Sequence, residues 1–117
     1  MKAGLVVEDI PATRLWLCEA LASAFPGIAI ESAGSLAAAL ALIERQGFEV
    51  ALVDLDLPDG SGLEAIGALR RRSPATAAVV TTIFDDDAHV FPAMQAGAQG
   101  YLLKEQPRER FIAGLQG

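Results

Sequence analysis

The chain has 117 residues, 52% of them hydrophobic and 21% charged, with a formal net charge of -6 at pH 7. That length suits one domain with a single core, and the acidic balance argues against a nucleic-acid backbone as direct ligand, which calls for a basic face. A lone cysteine, Cys18, excludes an internal disulfide, and every apolar stretch is broken well short of a membrane span, so a soluble cytoplasmic protein without a membrane partner is expected. The opening MKAGLVVEDI is too short in its apolar run and too acidic for a secretory signal.

The first predicted strand is Leu5-Val6-Val7, which ends on Glu8 and Asp9. A helical period follows, with Leu15, Cys18, Ala22 and Phe25 on one face and Trp16 and Cys18 read as packing residues. Ile28-Ala29-Ile30 is a short second strand, and Ser35 caps a second helix that aligns Leu36, Leu40 and Ile43. Val50 to Val53 form the third strand, which ends on Asp54, with Asp56 two residues later and a Pro58-Asp59-Gly60 turn behind it. Asp59 is read as a turn residue that makes local hydrogen bonds.

Ser61 and Glu64 have capping-box spacing and start a third helix with Leu63, Ile66 and Leu69 along one face. Its last turn carries Arg70-Arg71-Arg72, cations that oppose the helix dipole. The fourth strand is Ala78-Val79-Val80, leading into Thr81-Thr82. A fourth helix from about residue 86 to Ala96 is capped by Asp85, Asp86 and Asp87, carries His89 on its exposed side, and stops at a left-handed Gly97. Pro92 inside it removes one hydrogen bond and is expected to kink or delay the helix. Tyr101-Leu102-Leu103 before Lys104 is the last strand, and Pro107 to Leu115 the last helix.

Strands alternating with helices imply βαβ units, hence an α/β doubly wound, five-stranded parallel sheet with helices on both faces. Strands covered twice read as continuous apolar runs, as these do. In such sheets the ligand crevice lies outside the carboxyl ends of the strands, where Glu8, Asp9, Asp54, Asp56, Thr82 and Lys104 all fall.

Several carboxylates in one crevice cannot all ionise without a cation. Mg2+ answers this with oxygen ligands from one or two carboxylates and a phosphate, whereas a zinc set is excluded because the chain offers only His89 and Cys18. A carboxylate beside a metal, a lysine and a hydroxyl suits phosphoryl transfer: Asp54 attacks, and Lys104 and the Thr82 hydroxyl neutralise the phosphoryl oxygens.

These residues resemble the receiver domain of two-component response regulators, the CheY-like fold, from Val6 to about Leu115. Glu8-Asp9 resembles the family's acidic pair, VALVDLDLPDGSGLE with Asp54, Pro58 and Gly62 its phosphoacceptor strand and loop, and AGAQGYLLKE supplies Tyr101 and Lys104 at the family's spacing. The resemblance implies a flavodoxin-like strand order 2-1-3-4-5 and residues 1–117 as one receiver domain. It makes Asp54 the phosphorylated aspartate and Asp9 a direct Mg2+ ligand, with Glu8 acting through water. Asp56 offers its backbone carbonyl to the metal, Thr82 and Tyr101 are the switch pair, and Lys104 holds a phosphoryl oxygen. The implied partners are a sensor histidine kinase or phosphotransfer protein and a homodimer mate. The implied output surface is the fourth helix, fifth strand and fifth helix. The AGAQGYLLKE match points to the LuxR or NarL subgroup, in which DNA is bound only through a C-terminal domain not contained here.

The chain departs from that pattern at Ile83, where a small residue is usual after the threonine, so restricted access to the phosphoryl group is expected. Glu105 stands where many receivers have a cis proline, so a trans peptide after Lys104 is expected. Ending at Gly114-Leu115-Gln116-Gly117, shortly after its last helix begins, the chain reads as a piece of a longer protein. Two other readings stay open: a haloacid-dehalogenase-like phosphatase, because Asp54-Leu55-Asp56 resembles a DxD nucleophile motif, and a pseudo-receiver that signals without phosphorylation.

Overall fold

The computed structural model describes residues 1–83 and 87–117. The elements are β1 (Ala3–Val7), α1 (Pro11–Ala24), β2 (Ala29–Ala33), α2 (Leu36–Arg45), β3 (Val50–Val53), β4 (Asp56–Leu57), β5 (Gly60–Ser61), α3 (Gly62–Arg72), β6 (Ala77–Thr82), α4 (Asp87–Ala96), β7 (Gly100–Leu103) and α5 (Arg108–Gln116). Five strands form one parallel sheet in the order β2-β1-β3-β6-β7. This is the expected 2-1-3-4-5 order once the small antiparallel β4–β5 hairpin, which flanks the expected Pro58-Asp59-Gly60 turn, is set aside.

The sheet separates two apolar layers. Ile43, Phe48, Ile66, Leu69 and Ala93 fill one layer, beneath α2, α3 and α4. Leu17, Leu21, Leu52 and Phe111 fill the other, beneath α1 and α5, where Trp16 meets Phe111 edge-on at 5.0 Å between ring centroids. Cys18 packs against this second layer, and burial raises its thiol above its ordinary value while Arg14 pulls the other way. A thiol held protonated in this way is a packing group.

The expected face of α1 is corrected. Leu15 is 61% exposed and Ala22 is exposed too, whereas Leu17, Ala20, Leu21 and Ala24 are buried. Both stripes satisfy a helical period because α1 is apolar nearly all round, so periodicity alone left its rotation undecided. The capping box is corrected as well: the Ser61 hydroxyl accepts from Leu63 N at 3.1 Å, one residue short of Glu64. Ser35 caps α2 as expected, accepting from Ala38 N at 3.2 Å. The second strand begins at Ala29 and extends to Ala33, later than expected, because Glu31 and Ser32 on this edge strand hid its continuation.

α4 remains helical through Pro92. It ends at Gly97, with φ 113°, where Gly97 N donates to Met94 O at 3.1 Å and Ala98 N to Ala93 O at 3.0 Å. Those two bonds make a Schellman cap, which a left-handed glycine allows at no steric cost. Asp85 and Asp86, expected with Asp87 to cap α4, lie outside the described residues, as do the side chains of Asp87 and of His89, which was expected on the exposed side. The arginine cluster does sit in the last turn of α3, and it ties elements together: Arg72 donates to Glu44 O at 2.6 Å and Arg70 to Thr76 O.

Asp59 does more than shape its own turn. Its carboxylate accepts from Leu36 N at 2.7 Å and Ala37 N at 2.9 Å, capping α2 from 22 and 23 residues away in sequence. Those two donors hold its carboxyl below its ordinary value. A depressed carboxyl contributes stability that is present above the unfolded-state pKa and lost as pH falls through the folded one. Asp59→Asn therefore lowers stability at neutral pH, and the gap to wild type closes on acidification below the ordinary aspartate range. Urea titrations of both proteins at neutral and acid pH check this; a gap that is constant with pH would contradict it.

Candidate functional site

Register brings the site together. Val7 pairs with Val53, so β1 and β3 end level with one another, and Val53 pairs with Val80, from which β6 runs two residues further to Thr82. The ladder runs on for one step: Asp54 N donates to Val7 O at 2.9 Å, and Glu8 N to Ala33 O at 3.0 Å. Thr82 pairs with Leu103, and Lys104 N donates to Thr82 O at 2.7 Å, which carries Lys104 to the same rim.

Glu8 is fully buried, Asp54 is 8% exposed, Thr82 is buried and Asp9 is half-buried. Carboxylate oxygens of Glu8, Asp9 and Asp54 lie within 4.8 Å of one another. The Lys104 ammonium bridges two of these acids, pairing with Glu8 Oε1 and lying 3.3 Å from Asp54 Oδ2. Backbone donors complete the site: Ile10 N reaches Glu8 Oε2 at 3.1 Å, and Asp56 N reaches Asp54 Oδ1 at 3.3 Å. Three acids sharing a single ammonium leave negative charge uncompensated, and the all-oxygen donor set suits a hard divalent cation.

A cavity of about 270 Å³ opens over these groups, lined by Asp9, Ile10, Thr13, Asp54, Asp56, Thr82, Ile83 and Lys104. Six of the seven site residues expected from the sequence thus converge. Asp56 stands exposed at the rim as the first residue of β4. Tyr101, the seventh, is half-buried on β7 and packs against the layer beneath α2, α3 and α4, outside the cavity lining. Ile83, 58% exposed, and Ile10, 54% exposed, both line this cavity. The peptide after Lys104 is trans, as expected. A larger cleft of about 570 Å³ between α2 and α3 holds one acid, Glu44, and has no converging carboxylates.

Two residues escaped the sequence reading. Arg14 donates from Nη1 to the Glu8 carbonyl at 2.9 Å, a link six residues long with no motif to announce it. Gly62, part of the resemblance but without an assigned role, lets the start of α3 press against the Asp54 backbone; a Cβ there would fall 2.1 Å from Asp54 O.

The profile of the response regulator receiver domain matches residues 5–116. The nitrate/nitrite response regulator protein NarP of Escherichia coli K12 is 31% identical over 112 residues, 96% of this chain and 52% of that protein. The acid tolerance regulatory protein ActR of Rhizobium meliloti is 34% identical over 114 residues, 97% of this chain and 58% of that protein. The chain thus spans little more than half the length of these relatives.

Among solved structures, a Burkholderia pseudomallei response regulator with a phosphorylated aspartic acid, calcium ion and citrate superposes with a TM-score of 0.86 at 32% identity, covering 99% of this chain and 67% of that one. The receiver domain of the putative response regulator NarL from Mycobacterium tuberculosis gives 0.84 at 30% identity, covering 97% and 92%. The DxD likeness to a phosphatase is set aside, because a receiver profile accounts for nearly the whole length, and Asp54 directly follows the central strand β3, beside the acidic pair that follows β1. With acids, hydroxyl and lysine gathered at the ends of a 2-1-3-4-5 sheet and this profile matched throughout, the chain belongs to the receiver domains of two-component response regulators.

Proposed function

We propose that Asp54 is the phosphoacceptor of this domain, phosphorylated with Mg2+ by a sensor histidine kinase or phosphotransfer protein. The observation that carries this is the approach of the Glu8, Asp9 and Asp54 oxygens to within 4.8 Å, with Lys104 on two of the three. Asp9, Asp54 and the Asp56 backbone carbonyl would hold the cation directly and Glu8 through water, and the cation when bound would supply neutralising charge for the phosphoryl oxygens.

The chain's own residues do the rest. An Asp54 carboxylate oxygen attacks phosphorus in line, the phosphorus–nitrogen bond of a phosphohistidine donor breaks, and the imidazole departs with the bonding electron pair. Lys104 moves from Asp54 to a phosphoryl oxygen, exchanging one anion for another. The Thr82 hydroxyl is drawn to the phosphoryl group, and Tyr101 repacks into the space it leaves. This one charge change biases a two-state element whose output surface is α4, β7 and α5. The subgroup resemblance supports a cytoplasmic regulator with a transcription-regulating, DNA-binding output domain, and a homodimeric active form belongs to the same proposal.

Intact mass after incubation with acetyl phosphate and Mg2+ tests the reading. Wild type gains one phosphoryl group and Asp54→Ala gains none. A folded wild type that gains none is a pseudo-receiver, and the proposal fails. Ile83 is an exposed part of the cavity lining, so Ile83→Ala is expected to accelerate both phosphorylation and hydrolysis. Rates equal to wild type would remove any gating role for that side chain.

A further inference from the structure

We propose that Arg14 is a positioning residue for the carboxylates of this site, holding the Glu8–Asp9 turn so that its acids meet a divalent cation; the proposal rests on the reading of that trio as a cation site. Two of the three carboxylates sit on a single tight turn between β1 and α1. Besides the Lys104 pairing with Glu8 Oε1, three hydrogen bonds converge on Glu8. Glu8 N donates to Ala33 O at 3.0 Å, Ile10 N donates back to Glu8 Oε2 at 3.1 Å, and the Glu8 carbonyl accepts from Arg14 Nη1 at 2.9 Å. Only the third tie to this turn is made by a side chain from α1.

Arg14 sits in the opening turns of α1, its own N–H bonded to Ile10 O at 2.8 Å. Its side chain runs back toward the helix N-terminus, the direction helical side chains favour, and this brings the half-buried guanidinium over the turn. The β2–α2 connection leaves room for it: a Cβ on Gly34 would fall 2.8 Å from Nη1. Gly34 has no left-handed backbone to explain it, so the glycine is accounted for by the space the guanidinium occupies.

The bond is unusual for where it lies. Three carboxylates stand nearby, yet among the described residues Arg14 forms no ion pair and donates to a neutral main-chain carbonyl. This arrangement fixes geometry without neutralising the acids, and outer hydrogen-bond partners of metal ligands act in that way. Position and charge predict opposite signs. Removing a positive charge beside a cation site tightens cation binding, whereas releasing the turn weakens it.

The test is the Mg2+ dissociation constant of the chain by titration calorimetry, with unfolding midpoints measured in EDTA and in Mg2+. Arg14→Gln is expected to weaken Mg2+ binding roughly tenfold, the lower end of what outer-shell partners contribute. Arg14→Lys, which keeps the charge but loses the planar fork, recovers part of that loss. Gly34→Ala meets only the flexible guanidinium tip, so it leaves the EDTA midpoint near wild type and weakens Mg2+ in the same direction. Unchanged or tighter binding in Arg14→Gln overturns the proposal. Should that variant fail to fold, unchanged binding in Gly34→Ala overturns it instead. A wild type that binds no Mg2+ overturns both this role and the function proposed above, whereas normal wild-type binding with an unaffected Arg14→Gln removes the arginine's role alone.

Discussion

Gly62→Ala is expected to destabilise the domain by about 3 kcal/mol, near the upper end for an overpacked site. Local preferences argue the other way. Gly62 is the first residue of α3 and has no left-handed φ, so alanine would gain up to about 1 kcal/mol from helix propensity and a less flexible unfolded chain. Space decides the sign. The added carbon would lie 2.1 Å from Asp54 O, 2.9 Å from Asp54 C and 3.0 Å from Leu55 Cα, all backbone atoms with no rotamer to yield.

Relief requires moving α3 or the Asp54 peptide, and Gly62 N is also bonded to Leu55 O at 2.9 Å. For a domain with roughly 5–15 kcal/mol in hand, such a loss is visible at once. Denaturant unfolding followed by the fluorescence of Trp16, the chain's one tryptophan, measures it. A midpoint equal to or above wild type would show that the close approach is not tight. Any variant that remains folded should also phosphorylate slowly, because the strain falls on Asp54, the proposed phosphoacceptor.

Lys104→Met removes the cation between Glu8 and Asp54. Breaking a buried ion pair from one side costs about 3–5 kcal/mol, since the remaining charge stays in a poorly solvated place. Here the cost falls toward the low end because the Lys104 side chain is 13% exposed, while Glu8 at 0% keeps it substantial. A stability loss of about 3 kcal/mol in EDTA is therefore expected. Excess Mg2+ should recover much of it, because a ligand that binds only the folded state stabilises by mass action, and the variant leaves the acids without their ammonium. Unfolding midpoints of wild type and variant with and without Mg2+ give four values. Equal stability in EDTA, or an equal Mg2+ response in the two proteins, would show that the Lys104 bridge contributes nothing.

Much of this was legible before any coordinates. The apolar runs at Leu5–Val7, Val50–Val53 and Ala78–Val80 announced twice-covered strands because nothing polar interrupts them. Placing acids, a threonine and a lysine straight after those runs sends them to one end of a parallel sheet, whatever the details of packing. Ser35 and Gly97 could be read as helix boundaries because capping depends on near neighbours.

What the tertiary structure alone decided involves partners distant in sequence or packing with no local signature. The rotation of α1 was set by Leu17, Leu21 and Phe111 fitting together, since an apolar helix offers several equivalent stripes. Asp59 reaches the start of α2 across 22 and 23 residues, and Lys104 reaches Glu8 across 96. The arginine over Gly34 and the bare backbone contact at Gly62 are likewise matters of available volume. Composition and periodicity determine which residues seek a core and which strand ends carry charge, because those depend on each residue and its near neighbours. Which acid meets which cation, and which glycine must stay bare, depends on distances that exist only once the sheet has closed.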